Sequence, residues 1–245
     1  MDHEGSARSD QTPLAGIMLD CGACPYLPDK RFHAFQLIEG QLSTRRYRAL
    51  LDHGFRRSGA HCYRPMCRNC NECRPIRVNV ATFKPRKDQR RCLARNTDLT
   101  VTWQPRGCDT ERLVLYQRYQ SSIHDEDNDA HPERFLVDDG GVDGGELHAR
   151  DATGQLVAVS VLDRFADALS SVYCYYTPDE PRRSLGTFMI LQELDHAAHW
   201  SLDWLYLGYL IRDCKKMRYK GRFTPHQILE EEGWIEHESQ SRHES

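Results

Sequence analysis

Six of the ten cysteines fall in two tight groups, Cys21-Gly-Ala-Cys24 and then Cys62 with Cys67-Arg-Asn-Cys70-Asn-Glu-Cys73. No other feature restricts the fold as strongly. A two-residue spacer lets two thiolates converge on one ion or cluster while the intervening amides turn toward the sulfurs. Three cysteines in series need a fourth from a distance, so a four-thiolate site would draw the chain near residue 24 onto the chain near residue 70. Zinc and an iron–sulfur cluster both accept four thiolates, and the spacing does not choose between them. Cys92, Cys108, Cys174 and Cys214 are scattered and read as small buried hydrophobes. Residues 1–10 hold no apolar stretch like a secretory signal, so the expected compartment is the cytoplasm, where a disulfide framework does not persist. The longest apolar runs, such as Val157–Val159 and Met189–Leu191, fall far below the ~18 residues that span a bilayer, and no membrane partner is expected.

Charge is divided unevenly. The formal net charge is −3, yet residues 26–106 carry 18 Lys and Arg against 6 Asp and Glu. Arginine dominates this stretch, with Tyr47, Phe55, Tyr63 and Phe83 between. Guanidinium matches phosphate geometry better than ammonium does, so a polyanion such as a nucleic acid is a natural partner. A set of solvated faces is the plainer explanation of the same charges.

The pattern predicts an α+β chain. Residues 1–20 read as a disordered leader, 21–98 as a Cys-rich, basic α/β domain, 99–235 as a second domain, and 236–245 as a polar tail. Leu42–Asp52 has helical spacing, and Gly54 is placed to stop it. Ile76–Val80 alternates as a half-buried strand does. Asp88–Arg95 reads as a basic helix, Leu99–Trp103 as a strand and Thr110–Ser121 as a helix, followed by an irregular acidic connection over 124–145. Leu156–Phe165 and Leu169–Tyr176 form an antiparallel pair turning at Ala166-Asp167. Ser184–Trp200 is a long amphipathic helix, Trp204–Leu210 a strand and Pro225–Gly233 a short helix. The order strand, strand, glycine-containing loop, helix, strand matches the centre of the GNAT acyltransferase fold, in which the helix N-terminus receives phosphates of the acyl donor. Free amides and a partial positive charge suit that terminus to an anion. Arg182, Arg183, Ser184 and Gly186 lie there; an ordinary cap by Ser184 with solvent-facing arginines is the alternative.

Strings along most of the chain are also familiar together: Cys24-Pro-Tyr-Leu-Pro28, Gly54-Phe-Arg-Arg-Ser-Gly59, Tyr63-Arg-Pro65 with the cysteine series, Pro75-Ile-Arg-Val78, Gln89-Arg-Arg91 with Arg95-Asn96, Ser171-Val-Tyr173, Pro178-Asp-Glu180, Arg182-Arg-Ser-Leu-Gly186, Tyr206-Leu-Gly-Tyr209, and Lys216-Met217 with Tyr219-Lys220. In this order they resemble the arginyl/leucyl-tRNA–protein transferase family, on the bacterial aspartate/glutamate leucyltransferase branch. The resemblance implies a GNAT-like aminoacyltransferase domain behind the N-terminal one. It also implies transfer of leucine, or arginine, from its tRNA to proteins beginning with Asp or Glu, which feeds N-degron degradation without coenzyme A. Cys24, Cys67, Cys70 and Cys73 are the implied metal or cluster ligands, with Cys21 as a substitute, since Cys21 departs from the bacterial pattern toward the arginyl branch. The segment 124–135 keeps the family's histidine, His124, but is more acidic.

For the acceptor's carboxylate, bidentate guanidiniums are called for, and Arg56, Arg57 and Arg64 are the candidates. Arg86, Arg90, Arg91 and Arg95, with Arg182, Arg183, Ser184 and Gly186, are the candidates for tRNA. Tyr209, at the expected split of the sheet, could protonate the leaving ribose oxygen, and His124 could assist the amine; both also read as structural. Two rival readings are a GNAT acetyltransferase carrying a zinc module and a non-enzymatic zinc protein that binds nucleic acid.

Overall fold

The computed structural model describes residues 14–38, 42–123, 132, 136–138 and 140–238. Twelve strands make two sheets among these residues. The smaller sheet has the order β1-β2-β4-β3, from β1 (Gly16–Ala23), β2 (Arg31–Leu37), β3 (Arg56–Ser58) and β4 (His61–Pro65). The larger runs β12-β11-β5-β10-β9-β8-β7-β6, from β5 (Arg74–Asn79), β6 (Thr100–Gln104), β7 (Gly144–Arg150), β8 (Leu156–Arg164), β9 (Ala168–Tyr176), β10 (Trp204–Leu210), β11 (His226–Glu230) and β12 (Gly233–His237). The α-helices are α1 (Thr44–Asp52), α2 (Lys87–Ala94), α3 (Thr110–Ile123) and α4 (Leu185–His199).

The α+β expectation and the order β8, β9, α4, β10 hold. β8 and β9 form an antiparallel hairpin, and α4 carries the chain across to β10, which lies parallel to β9. α4 buries Leu185, Phe188, Met189, Leu194 and Ala197 against the sheet, where β5 contributes Ile76 and Val78. The β9–β10 ladder is short: Trp204 pairs with Ala168, Leu205 with Leu169 and Tyr206 with Ser170, and there it ends. Beyond Tyr206 the register of β10 against β5 also shifts. Gly208, in this irregular stretch, has φ +81°, the left-handed region that favours glycine. The two parallel strands therefore part like the arms of a V, which is the GNAT arrangement.

Several expectations need correction. The composition break at residue 98 is not a break in the fold: β5 lies in the larger sheet, between β10 and β11, and Cys92 of α2 belongs to the core beneath α4. The leader is not irregular throughout, because Gly16–Asp20 belongs to β1; residues 1–13 lie outside the described residues. β1 is an edge strand with both faces largely exposed, so it shows no hydrophobic alternation. Residues 226–230 form β11 rather than a helix. Ile228, fully buried, pairs with Ile76 of β5, so sheet pairing outweighs the weak helical pattern. Gly233–His237, partly assigned to the tail, closes this edge as β12.

Candidate active site

The V between β9 and β10 opens into a cleft of about 1110 Å³, more than a pocket for one small ligand requires. Arg56 of β3 plugs its apex. Its Nη1 donates to Ser170 Oγ (3.0 Å) and its Nη2 to the Ser171 carbonyl, both on β9 at the point where the ladder ends. Gly208 makes room on the other arm: a Cβ there would sit 3.3 Å from Arg56 Nη2. The smaller sheet thus delivers a guanidinium into the split of the larger one.

The tyrosines Tyr116 and Tyr119 of α3 and Tyr173 and Tyr176 of β9 line one wall, with Tyr119 and Tyr176 at 4.9 Å between ring centroids. Ser184, Leu185, Gly186 and Thr187 bring the start of α4 to the cleft. Ser184 is the N-cap but has φ +54° and no side-chain cap bond, so the simple capping alternative does not hold, and the amides of Leu185 and Gly186 have no acceptor within the helix. Lys220 and Tyr219 come from a short 3-10 stretch after β10. Behind them lies Glu193 of α4, fully buried, whose Oε1 accepts from Ser171 Oγ (3.3 Å). Burial pushes the Glu193 carboxyl up to about 7. Burial, then the positive charge of Arg56, push the Lys220 ammonium down to about 7 against the pull of Glu193.

The three acceptor candidates separate. Arg56 and Arg57 both border the cleft, whereas Arg64 does not, and the two differ in what their guanidiniums meet. The Arg57 guanidinium is committed elsewhere, with Nε donating to Asp163 Oδ2 (2.9 Å), a second arm ion-paired to the same carboxylate, and Nη1 donating to the Gly59 carbonyl (3.0 Å). Arg106 shares Asp163. Both side chains of the Arg57–Asp163 pair are almost fully buried, at 2% and 0% exposed; Arg57 fastens β3 to β8. Arg64 lies away from the cleft, over the Phe55 ring and donating to the His53 carbonyl. Tyr209 borders the cleft, but its hydroxyl donates to the Gly54 carbonyl (3.0 Å), so it holds the turn after α1 instead of reaching for a leaving group. His124 lies outside the described residues.

Arg86, Arg90, Arg91 and Arg95 are exposed along α2 and its ends. Asn96 donates to the Arg183 carbonyl (3.0 Å) and Cys92 approaches the same oxygen, latching the end of α2 to the start of α4. The basic strip therefore runs to the mouth of the cleft. Arg182 is exposed beside it, while Arg183 is held by Asp98 and Glu180.

Cys24, Cys67, Cys70 and Cys73 line one small cavity of about 30 Å³; Cys21 is exposed on β1 and absent from its lining. The His33 amide donates to Cys67 Sγ (3.4 Å). Burial, with Cys67, Cys24 and Cys70 alongside, pushes the Cys73 thiol up to about 12. Four thiols around one void suit a thiophilic ion or a cluster in donor chemistry, yet among the described residues no three His, Cys, Asp or Glu side chains are set to hold a metal ion.

A split sheet with an open helix N-terminus at a wide cleft is the arrangement of the GNAT fold. A family described as "Arginine-tRNA-protein transferase" matches its N-terminal part at residues 22–91 and its C-terminal part at 111–230. The chain is 42% identical over 219 residues to an aspartate/glutamate leucyltransferase of Pseudomonas fluorescens, covering 87% of this chain and 92% of that one. It is 40% identical over 219 residues to one of Teredinibacter turnerae, covering 86% and 89%. It belongs to the arginyl/leucyl-tRNA–protein transferase family, in its aspartate/glutamate leucyltransferase branch, and is an aminoacyltransferase. Solved structures resemble it distantly. A C-terminal domain of a lysylphosphatidylglycerol synthetase from Agrobacterium fabrum aligns at a TM-score of 0.45 and 15% identity, covering 57% of this chain and 47% of that one. A tandem GNAT protein from clavulanic acid biosynthesis aligns at 0.43 and 12%, covering 86% and 59%. These likenesses add nothing to the topology. Among the described residues no helix is long and apolar enough to cross a membrane.

Sequence reasoning missed Lys220, Glu193 and most of the tyrosine wall. Lys220 and Tyr219 were within a family string, but nothing local marks them as facing a cleft. Glu193 carried the clearer signal, as a carboxylate at a core position of an amphipathic helix.

Proposed function

We propose that this protein transfers leucine from its tRNA to the α-amine of proteins that begin with Asp or Glu, in the cytoplasm, so marking them for N-degron degradation. The cleft at the β9–β10 split carries this reading: its floor is cationic, its wall aromatic, and its rim joins the basic strip of α2. The names of the relatives support leucine as the donor. Exposed arginines take the tRNA phosphates, and the tyrosine wall suits stacking of the bases at the single-stranded 3′ end. The open amides of α4 take an anionic group there, and coenzyme A has no part.

The chemistry asks little beyond placement. The acceptor amine has a reference pKa of ~7.7–8.0 and is partly free base at neutrality, and the aminoacyl ester is already activated. A C–N bond forms, the ester C–O bond breaks, and the amine proton ends on the ribose oxygen. Holding the two substrates in register supplies much of the rate. Cys24, Cys67, Cys70 and Cys73 are proposed to hold an iron–sulfur cluster or zinc that fixes the β1–β2 connection to the β4–β5 connection; no step passes through it. Anaerobic purification with absorption spectroscopy and metal analysis tests that assignment.

The functional test incubates the protein with labelled leucyl-tRNA, arginyl-tRNA or acetyl-CoA and peptides beginning Asp, Glu or Ala. Label on the Asp and Glu peptides from leucyl-tRNA is the expected result. Label from arginyl-tRNA would change the donor, and label from acetyl-CoA alone would overturn the reading.

A further inference from the structure

Nearly every buried or half-buried cation near the sheet split is matched by an acid: Arg57 and Arg106 by Asp163, Arg48 by Asp52 and Asp167, Arg77 by Asp52, Arg112 by Glu146. Two are not. Arg56 bonds only to the neutral oxygens of Ser170 and Ser171. Lys220 has no hydrogen bond or ion pair from its ammonium among the described residues, although it lies partly sunk in the cleft. Glu193, the acid on that side, is not ion-paired to either. The single buried carboxylate of Glu193 pulls on both cations without a direct ion pair to either, and two partly desolvated cations that share one acid cost stability. Facing one cleft, they form a ready site for an anion that is not part of the fold.

We propose that Lys220 and Arg56 form the seat for the side-chain carboxylate of the acceptor's first residue, and that Lys220 sets the demand for an acid there. This rests on the transfer reaction proposed above. The division of labour follows from the side chains. Arg56 is pinned to β9 and can offer only its remaining edge. Lys220 is a point charge on a flexible four-carbon stem, and it can follow a carboxylate placed one methylene nearer or farther, so Asp and Glu are both accommodated. Asn and Gln have the same shapes but bring no charge.

The test uses K220M and K220R in the full chain. Fluorescence anisotropy measures binding of labelled peptides that begin Asp or Asn, filter binding measures tRNA affinity, and labelled leucine transfer gives kcat/KM. The wild type should prefer Asp to Asn. K220M should lower affinity for the Asp peptide by about tenfold or more, as loss of a charge-assisted hydrogen bond does, while Asn binding stays within about twofold. K220R should keep the preference for acid and alter the ratio of Asp to Glu. K220M should not lower the thermal midpoint, because it removes a partly buried charge. Equal losses on Asp and Asn peptides, an unchanged Asp preference, or weakened tRNA binding would each overturn the proposal. Lys220-dependent Asp binding without leucine transfer would leave the seat standing and sink the reaction. Transfer whose acid preference survives K220M would do the reverse.

Discussion

Arg56 and Arg57 are neighbours on one short strand and point to opposite sides, as consecutive strand residues must. Arg57 meets a buried aspartate and a second arginine, so its charge is consumed in joining β3 to β8. Arg56 meets only serine oxygens at the point where β9 and β10 part, so its charge remains available to the cleft. Sequence alone makes them equivalent. Their difference lies in what the far strand supplies, Asp163 on β8 or Ser170 on β9, more than a hundred residues away in either case.

The largest expected effect is on the structural side of this pair. Arg57→Ala leaves the Asp163 carboxylate buried with Arg106 alone and should cost roughly 3–5 kcal/mol, read as a large fall in the thermal midpoint with tRNA binding and transfer lost together. A folded R57A protein that loses only acidic acceptors would erase the distinction. Arg56→Met should instead leave the midpoint within a few degrees while kcat/KM for Asp-led peptides falls about 10- to 100-fold, the loss of one charge-assisted contact. Gly208→Ala places a Cβ at positive φ against Arg56; it should cost on the order of 1–2 kcal/mol and lower transfer several-fold by displacing the guanidinium. On the tRNA flank, Arg90→Ala with Arg91→Ala should weaken tRNA binding similarly for all sequences and reduce the log–log salt slope by about 2, with the acid preference intact.

The cleft floor also carries a pH signature. Glu193 titrates near 7 in the fold, above its ordinary 4.5, so the fold holds its proton more tightly and stability declines as pH rises between those values. Lys220 titrates near 7, below its ordinary 10.5, so the unfolded chain binds the extra proton above neutrality and stability recovers from pH 7 upward. The thermal midpoint should show a dip near neutral pH from these groups. Glu193→Gln should flatten its acidic limb and Lys220→Met its alkaline limb.

Local pattern made much of this fold legible. The hairpin β8–β9, the long helix α4 and strand β10 could be read from runs of Val, Leu and Tyr and from the Arg-Ser-Leu-Gly turn. β1 to β4 could not, because they are short or exposed and owe their pairing to partners distant in sequence. At the site, the Cys67–Cys73 series was legible as a local spacing, and the fold brings Cys24 to the same small cavity. The roles of Arg56, Arg57 and Tyr209 were not, because each depends on a partner brought in by the sheet: Ser170, Asp163 or the Gly54 carbonyl. Lys220 was missed for the same reason, since its place in the cleft without a direct ion pair is visible only in three dimensions.

The most direct measurement is the rate at which labelled leucine moves from tRNA to a peptide beginning with Asp, in wild type and in R56M of equal thermal midpoint. A cleft that joins the two substrates predicts rapid labelling by the wild type and a loss of tenfold or more in R56M, by the same contact argument. Labelling by R56M at the wild-type rate, or none by the wild type itself, would contradict the assignment of the chemistry to the split between β9 and β10.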